Sequence, residues 1–379
     1  MRDERALLIW CICACVLSEN ERRESTADLV WQLLNVFVEK KPGDTPIEFE
    51  SLAQQPFHCN SAGATCNALI DYVSPNSTTL AVIGSLFNTD DLRSILGANN
   101  LPFSTPSNFP IAAQQTIRIP FRCICNNGTG ISDRRPIYTV VPGDGLYHIA
   151  AEVFSGLVTF QQIQAANNVT DANLIVVGQN LSIPLPCSCD DVDGRRVVHF
   201  GHVVAPGFTV EGIAQQYNTS EDTLMRLNNL NNSRDLRVGS VLDVPLSTCS
   251  SMVNNNSLDY PLLVANGTYL FTANNCVRCK CDAAVSRMLQ CEPSRTNSSC
   301  PPIRCGGSES FFLGNSTSSG CNRTTCAYAG FNQTIFTTVA LESTCPASNN
   351  RSSGLSLRGW RWNELLIIFQ IMMLVFLFL

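Results

Sequence analysis

Apolar residues recur between residues 73 and 247 at spacings that predict three copies of one small unit. In each copy, two short stretches keep the i, i+3, i+4, i+7 spacing of a helix face, and an extended apolar segment stands on either side. The first-helix positions are Leu80, Ile83, Gly84 and Phe87; Leu146, Ile149, Ala150 and Val153; and Val210, Ile213, Ala214 and Tyr217. The second-helix positions are Leu92, Ile95 and Leu96; Phe160 and Ile163; and Leu224 and Leu227. Each copy therefore predicts the order strand–helix–helix–strand, βααβ.

Each copy also ends on a proline-containing strand, with an asparagine pair upstream of it. The prolines are Pro120, Pro184 and Pro245, and the pairs are Asn99–Asn100, Asn167–Asn168 and Asn228–Asn229. In the middle copy we predict strands over Ile137–Val141 and Gln179–Leu185. Asp144, Thr89 and Ser220 stand where helix N-caps are expected. Because a two-stranded sheet has one apolar face to cover, both helices are expected to pack on it.

Composition narrows the class of protein. Charged residues make up 15% of the 379 residues and the net charge is −6, so the chain is a poor electrostatic partner for nucleic acid or anionic lipid. The 19 cysteines are too many for a reduced cytosolic enzyme unless they hold metals. These values indicate a secreted or cell-surface protein.

Both ends carry apolar segments that resemble processing signals. Ala6–Leu17 has the length of a signal-peptide core, so residues 1–17 are expected to be a signal peptide, followed by an unassigned extension, residues 18–56. The terminal run Leu365–Leu379 is short for a membrane span. It follows the small triplet Ser352-Ser353-Gly354 and a polar spacer, the layout of a glycosylphosphatidylinositol (GPI) signal. We expect attachment at Ser352 and removal of residues 353–379; the alternative is a short tail-anchoring helix.

Asn-x-Ser/Thr sequons are frequent, which fits passage through the secretory pathway. They occur at Asn76, Asn127, Asn168, Asn180, Asn218, Asn231, Asn255, Asn266, Asn297, Asn315, Asn322, Asn332 and Asn350.

The cysteines outside the signal segment number 16, an even count that favours disulfides. Two C-x-C pairs, Cys123/Cys125 and Cys187/Cys189, separate the predicted units. Side chains in such a pair project apart in a strand, so each cysteine is expected to bond to a different partner and to staple the units together. Cys276-x-x-Cys279-x-Cys281 is compatible with zinc, but in a sequon-rich chain disulfides are favoured. No metal or other cofactor is predicted.

Tyr138–Ala150, Ile163–Asn167 and Gly178–Pro186 strongly resemble the LysM motif. Three copies separated by C-x-C, a cysteine-rich region and a lipid-anchor signal together resemble the plant chitin elicitor-binding proteins, which are GPI-anchored LysM receptor-like proteins. The resemblance implies an α+β fold of three tandem βααβ LysM modules stapled by disulfides. The expected boundaries are 73–122, 136–186 and 200–247, followed by a cysteine-rich domain, 249–345.

The resemblance also implies function. Such a protein binds chitin oligosaccharides at the extracellular face of the plasma membrane and signals through a LysM receptor-like kinase co-receptor. Because one shallow groove contacts few sugars, a long oligomer that bridges two receptors is also expected to give a ligand-induced homodimer. By matching cysteine order it implies the disulfides Cys59–Cys125, Cys66–Cys189 and Cys123–Cys187.

The expected glycan site is a shallow groove between two loops of the middle copy. Chitin is uncharged, so its acetamido groups need main-chain hydrogen bonds and a small apolar seat. The implied residues are Pro142, Gly143, Asp144, Gly145, Leu146, Asp171, Ala172, Asn173, Leu174, Ile175 and Val176. Asp144 is most simply an N-cap and Leu146 a core residue, whereas Ile175 matches a sugar-contacting position. The Gly-Asp turn is absent from the other two copies, which leaves binding there open.

Other functions remain as alternatives. A glycosidase needs two positioned carboxylates, and the sequence carries no G-x-S-x-G, H-E-x-x-H or catalytic cysteine–histidine pattern, so an enzyme is disfavoured. Peptidoglycan is the main alternative ligand because its glycan also contains N-acetylglucosamine, and lipochitooligosaccharide is another. A structural wall protein without a signalling role is a further alternative.

Overall fold

The computed structural model describes residues 57–89, 91–294, 300–306 and 310–343. The predicted signal peptide, the extension 18–56, Ser352 and the propeptide 353–379 lie outside these ranges, as do Asn297 and Asn350. Among the helices within them, none is both long enough and apolar enough to cross a membrane.

The first βααβ unit, residues 65–126, has two long strands and two helices. The elements of this part of the chain are β1 (Phe57–Cys59), β2 (Thr65–Val73), β3 (Thr78–Thr79), α1 (Leu80–Leu86), α2 (Leu92–Ala98), β4 (Pro110–Ile111), β5 (Thr116–Asn126) and β6 (Gly128–Ser132). Strands β2 and β5 pair antiparallel along their length, and the short strands β3 and β4 pair at the end where the loops lie.

The second unit, residues 137–182, is smaller. Its elements are β7 (Ile137–Thr139), α3 (Leu146–His148), a π-helical stretch (Ile149–Val153), α4 (Phe160–Ala166) and β8 (Asn180–Ser182). Both strands are shorter than the segments predicted for them. Pro184 has no N–H to extend β8, and Val140 pairs with a loop rather than with a strand.

The third unit, residues 197–247, has the same order of elements. It contains β9 (Val197–Val203), α5 (Val210–Tyr217), α6 (Glu221–Leu227), a 3₁₀ turn (Ser233–Asp235) and β10 (Val241–Ser247). In all three units the apolar positions predicted on the helices are buried or half-buried, which confirms the periodicity.

The cysteine-rich region forms two three-stranded antiparallel sheets. Its strands are β11 (Thr268–Thr272), β12 (Val277–Cys281), β13 (Gln290–Pro293), β14 (Ser316–Ser319), β15 (Asn322–Phe331) and β16 (Ile335–Ser343). Strand β11 packs on the first unit so closely that a Cβ atom on Gly97 would lie 2.0 Å from the Tyr269 carbonyl oxygen. The Tyr269 hydroxyl donates to the Leu101 carbonyl at 2.6 Å. This region is therefore docked on helix α2 of the first unit.

The first and third units share one sheet, which the sequence did not predict. Its strand order is β1-β6-β5-β2-β9-β10, and β2 pairs parallel with β9 through Leu69–Phe200 and Ile70–Gly201. The second unit keeps its own two-stranded sheet, β7–β8, and shares a hydrophobic core with the first. Within that core the rings of Phe87 and Phe154 meet edge to face at 5.7 Å.

One asparagine in each unit ties the second helix to the closing strand. The Asn99 amide donates to the carbonyls of Ile95 and Arg118, both at 2.8 Å, and accepts from the Arg118 N–H at 2.9 Å. Asn167 and Asn228 make the same three bonds in the second and third units. We call this set of three bonds the asparagine latch. The following asparagine adopts positive φ in each case, 51° or 52°, and ends the helix. The asparagine pairs are thus structural.

Two of the three expected N-caps are wrong. Ser220 caps α6 by accepting from the Thr223 N–H. Helix α2, however, begins two residues later than expected and is capped by Asp91 rather than Thr89. Helix α3 has Gly145 at its N-cap and no side-chain cap, because the Asp144 carboxylate binds elsewhere.

Seven disulfides link described cysteines. Three of them use the cysteines of the two C-x-C pairs, Cys59–Cys125, Cys66–Cys189 and Cys123–Cys187, and these are the pairings that the family resemblance implies. The others, in the cysteine-rich region, are Cys249–Cys281, Cys276–Cys300, Cys279–Cys291 and Cys305–Cys326. The three cysteines with zinc-like spacing therefore have disulfide partners.

We expect Asn99→Ala to lower the free energy of unfolding by about 2–3 kcal/mol. The substitution removes three hydrogen bonds and leaves two main-chain carbonyls and one N–H without that partner. Chemical denaturation of the oxidised protein measures the change. Asn100→Gly is the matched control, because glycine accepts the positive φ and the exposed Asn100 side chain contributes no latch bond; equal stability of the two variants would contradict the assigned role.

Candidate functional site

The two predicted loops of the second unit meet at one end of its sheet. Loop A, residues 141–145, follows β7, and loop B, residues 171–179, precedes β8. They are joined at their base, where the Val140 N–H donates to the Gln179 carbonyl at 2.9 Å and the Gly178 N–H donates to the Val140 carbonyl at 2.8 Å. The expected pairing of loops is therefore present.

Loop A is held by the Asp144 carboxylate. That side chain is 3% exposed and accepts from the Tyr138 hydroxyl at 2.9 Å and from the Val141 N–H at 2.8 Å. Gly143 supplies the positive φ, +92°, that the turn between Val141 and Asp144 requires. Asp144 thus fixes the shape of loop A through a side chain that is itself buried.

Loop B is held by its own polar side chains. The Asp171 carboxylate accepts from the N–H and the side-chain amide of Asn173 at 2.9 and 3.0 Å. Residues 176–179 form a turn closed by the Gln179 N–H and the Val176 carbonyl, with Gly178 at positive φ. Asp171 and Asn173 are accordingly occupied in shaping the loop.

The apolar residues of these loops divide into two groups. Leu146 is buried, as expected, and Ala172 and Ile175 are half-buried and pack against the core. Leu174 and Val176 are 67% and 64% exposed. Val177, which the sequence analysis did not single out, is equally exposed. The half-buried Ile175 forms a floor, and its exposed neighbours form a rim.

The start of α3, directly after loop A, presents main-chain N–H donors at the candidate groove between loops A and B. Within the described residues, the N–H groups of Leu146, Tyr147 and His148 have no protein acceptor, and Gly145 has no side chain to cap them. A Cβ atom added at Gly145 would meet nothing within 4 Å, so the space above these donors is open. Three orphan donors at the start of α3 distinguish the second unit, whose loop B also contributes the half-buried Ile175 to the core that includes Leu146.

The first unit uses the corresponding donors internally. Leu80 N–H donates to the Phe109 carbonyl at 3.0 Å and Ala81 N–H to the Ser107 carbonyl at 2.8 Å, while Thr79 accepts from the Val82 N–H. The pairing of β3 with β4 closes the two loops further. Its groove is therefore occupied by its own backbone.

The third unit is intermediate. Thr209 caps the third donor, the Gly212 N–H, at 3.0 Å, whereas Val210 and Glu211 have no acceptor among the residues described. Gly207 repeats the positive φ of Gly143, so the turn of loop A is retained without the Gly-Asp sequence. Phe208 replaces Asp144 there and packs against the His202 ring at 5.5 Å.

The arrangement in the second unit suits a neutral ligand with amide and methyl groups. Loop A brings Gly143 and Gly145 close to the orphan donors, and loop B supplies the apolar floor. The carboxylate nearest these donors, Asp144, is already bonded twice. The groove therefore offers hydrogen bonding and methyl burial rather than ion pairing.

The chain is similar to several known proteins. The LysM domain family model matches residues 138–184 and 202–245, the second and third units. LysM domain-containing GPI-anchored protein 2 of Arabidopsis thaliana is 42% identical, across 83% of this chain and 89% of its own. Chitin elicitor-binding protein of Oryza sativa subsp. japonica is 41% identical, across 84% and 90%. A crystal structure of a receptor-like kinase ectodomain aligns with a TM-score of 0.41 and 23% identity, covering 49% of this chain and 93% of that one.

Tyr138 gives the site a measurable pH dependence. Burial, and then the hydrogen bond to Asp144 and the charge of that carboxylate, raise the pKa of Tyr138 from 10 to about 12. Because the folded pKa lies above the unfolded one, this stabilisation is present below pH 10 and lost as the pH rises from 10 to 12. We expect ¹³C-tyrosine NMR, assigned with Tyr138→Phe, to report this late titration.

Asp144→Asn is expected to lower the pKa of Tyr138 only partway towards 10, because the burial remains. A Tyr138 titration that Asp144→Asn leaves unchanged would contradict the assigned hydrogen bond.

Proposed function

The chain belongs to the plant family of LysM domain-containing, GPI-anchored proteins, and we propose that it is a cell-surface receptor-like protein that binds chitin oligomers. The ligand is a chain of N-acetylglucosamine units, and the site is the groove of the second unit. The proposal is supported by one observation above all, the three orphan N–H groups of Leu146, Tyr147 and His148 beside an apolar floor.

The chemistry of the ligand matches this arrangement. An acetamido group presents a carbonyl acceptor, an N–H donor and a methyl group. The acetamido carbonyl oxygen accepts hydrogen bonds from the main-chain N–H groups at the start of α3. The methyl group packs on Ile175, between the exposed side chains of Leu174 and Val176. Loop B carbonyls serve the acetamido N–H. Since the ligand is uncharged, binding is expected to depend little on salt.

The first unit completes a set of three LysM modules in this proposal. It has the same element order and the same asparagine latch as the two units that the family model matches. Its closed loops make it a structural module, and the second module is the one that binds.

The remaining parts of the proposal follow from the family. The chain is held at the outer face of the plasma membrane by its lipid anchor and acts through a LysM receptor-like kinase, as the family resemblance implies. The proposed role of the groove is binding rather than catalysis, because it offers main-chain donors and an apolar floor, whereas a glycosidase needs two positioned carboxylates.

Gly145→Thr is expected to weaken chitin binding about tenfold while leaving the fold intact or slightly more stable. The threonine hydroxyl caps the His148 N–H, as Thr79 and Thr209 cap their helices, and its methyl group enters the open space above the donors. Loss of one to two hydrogen bonds corresponds to a change of about this size. Titration calorimetry of the ectodomain with chitin tetramer measures the affinity, and thermal melting measures the stability.

Thr209→Gly is the matched control in the third unit and should cost a few tenths of a kcal/mol in stability with no change in affinity. Unchanged chitin affinity in Gly145→Thr would contradict the proposed site. If a muropeptide binds more tightly than a chitin oligomer with the same number of sugars, the ligand is peptidoglycan rather than chitin.

Ligand length supplies a further prediction. One shallow groove contacts few sugars, so an oligomer of about six to eight units that bridges two receptors gains affinity through effective concentration. We expect octamer to bind far more tightly than trimer and to double the apparent mass in chemical crosslinking. Equal potency of trimer and octamer in both assays would contradict the ligand-induced dimer.

A further inference from the structure

A groove of about 670 Å³ lies between the first and second units, away from loops A and B. Its volume falls within the range of small-ligand sites, roughly 300–1,000 Å³. One wall is formed by the helix pair of the first unit and the other by the start of the second unit. Its principal polar and apolar residues are Ser85, Asn88, Thr89, Arg135, Ile137 and Thr139.

A close helix contact shapes one wall. Gly84 lets α1 and α2 approach, since a Cβ atom there would lie 2.3 Å from the Leu92 side chain. Across the groove, Asn88 holds the two units together: its carbonyl accepts from Arg135 Nη1 at 3.2 Å, and its side-chain oxygen accepts from the Ile137 N–H. These polar contacts join the units, while Ile137 remains 43% exposed in the groove.

The register of the β7–β8 ribbon places a sequon asparagine on this same wall. Thr139 lies directly opposite Asn180, and Ile137 directly opposite Ser182. Because opposed residues share a face and successive residues alternate, Asn180 stands on the face whose Ile137 and Thr139 line the groove. The other face carries Tyr138 and the fully buried Leu181.

The Asn180 side chain is also oriented. The Thr139 hydroxyl, on the groove wall, donates to Asn180 Oδ1 at 2.8 Å, so this bond leaves Nδ2, the atom that carries an N-linked sugar, available for attachment. Asn180 itself is exposed, and the sequence Asn180-Leu181-Ser182 forms an acceptor sequon.

We propose that the groove between the first and second units is the seat of the N-glycan attached to Asn180, whose innermost N-acetylglucosamine residues fill it and strengthen the contact between the units. In the attachment step, Asn180 Nδ2 forms a C–N bond to C1 of the sugar, the bond from C1 to the phosphate of a lipid-diphosphate donor breaks, and the amide proton leaves with the diphosphate. The apolar face of the sugar packs on Ile137, and its hydroxyl groups bond to Ser85 and Thr89.

Two substitutions at one position isolate the glycan. Ser182→Ala destroys the sequon but keeps Asn180, and Ser182→Thr keeps both the sequon and the glycan. The latch bonds to residue 182 use its main chain alone, so both variants preserve them. Asn315→Gln removes another sequon, at an exposed residue of the cysteine-rich region, and controls for loss of a sugar elsewhere.

The experiment uses the full secreted chain from plant or insect cells. Glycopeptide mass spectrometry measures occupancy, and hydrogen exchange measures protection of residues 81–89. We expect Asn180 to be occupied in the natural sequence. Ser182→Ala should exchange about fivefold faster in this segment and melt about 2–4 °C lower, whereas Ser182→Thr and Asn315→Gln match the natural sequence. Natural protein trimmed to one sugar should retain most of the protection.

An unoccupied Asn180 in the natural chain would overturn the proposal, and so would equal exchange in Ser182→Ala and Ser182→Thr. Chitin affinity is expected to be the same in all these variants, so the outcome is independent of the proposed function.

Discussion

Three asparagine side chains, Asn99, Asn167 and Asn228, hold the helical half of each unit to its sheet. Each satisfies two carbonyls and one N–H at the point where a helix ends and the chain turns towards its closing strand. Because this latch lies at the far side of the second helix, it fixes the scaffold without involving the loops at the start of the first helix. Those loops differ among the units while the scaffold stays the same.

That separation explains how one fold gives three kinds of surface. Main-chain donors at the start of a helix need acceptors, and the three units meet this need in different ways. The first unit satisfies all three donors internally, the third satisfies one, and the second satisfies none with a described protein group. A surface with unsatisfied donors and an apolar floor is suited to a ligand rich in amide groups, and this is the physical basis for assigning binding to the second unit.

The sequence predicted the parts of the structure that depend on local periodicity. Apolar residues such as Leu146, Ile149 and Ala150 recur with the 3.6-residue period of a helix because that face of the helix covers a sheet. The recurring prolines and asparagine pairs located the three units. Prediction from the sequence failed where a side chain had two possible hydrogen-bond partners nearby. Asp144 was expected to cap α3, yet Tyr138 and the Val141 N–H hold its carboxylate instead. Pairing between distant strands, such as β2 with β9, and the closed loops of the first unit leave no periodic pattern to detect.

The shared sheet also governs how the chain can be divided. Strand β2 completes its pairing only when β9, more than 120 residues later, has been synthesised, and Cys66 likewise waits for Cys189. A fragment that ends after the second unit would expose the edge of β2 and leave Cys66 unpaired, two conditions that favour aggregation and wrong disulfides. Truncation is therefore a poor way to map function in this molecule. Loss of activity in a shortened chain would reflect failed assembly of the first and third units, even though the proposed chitin-binding groove lies in the second unit.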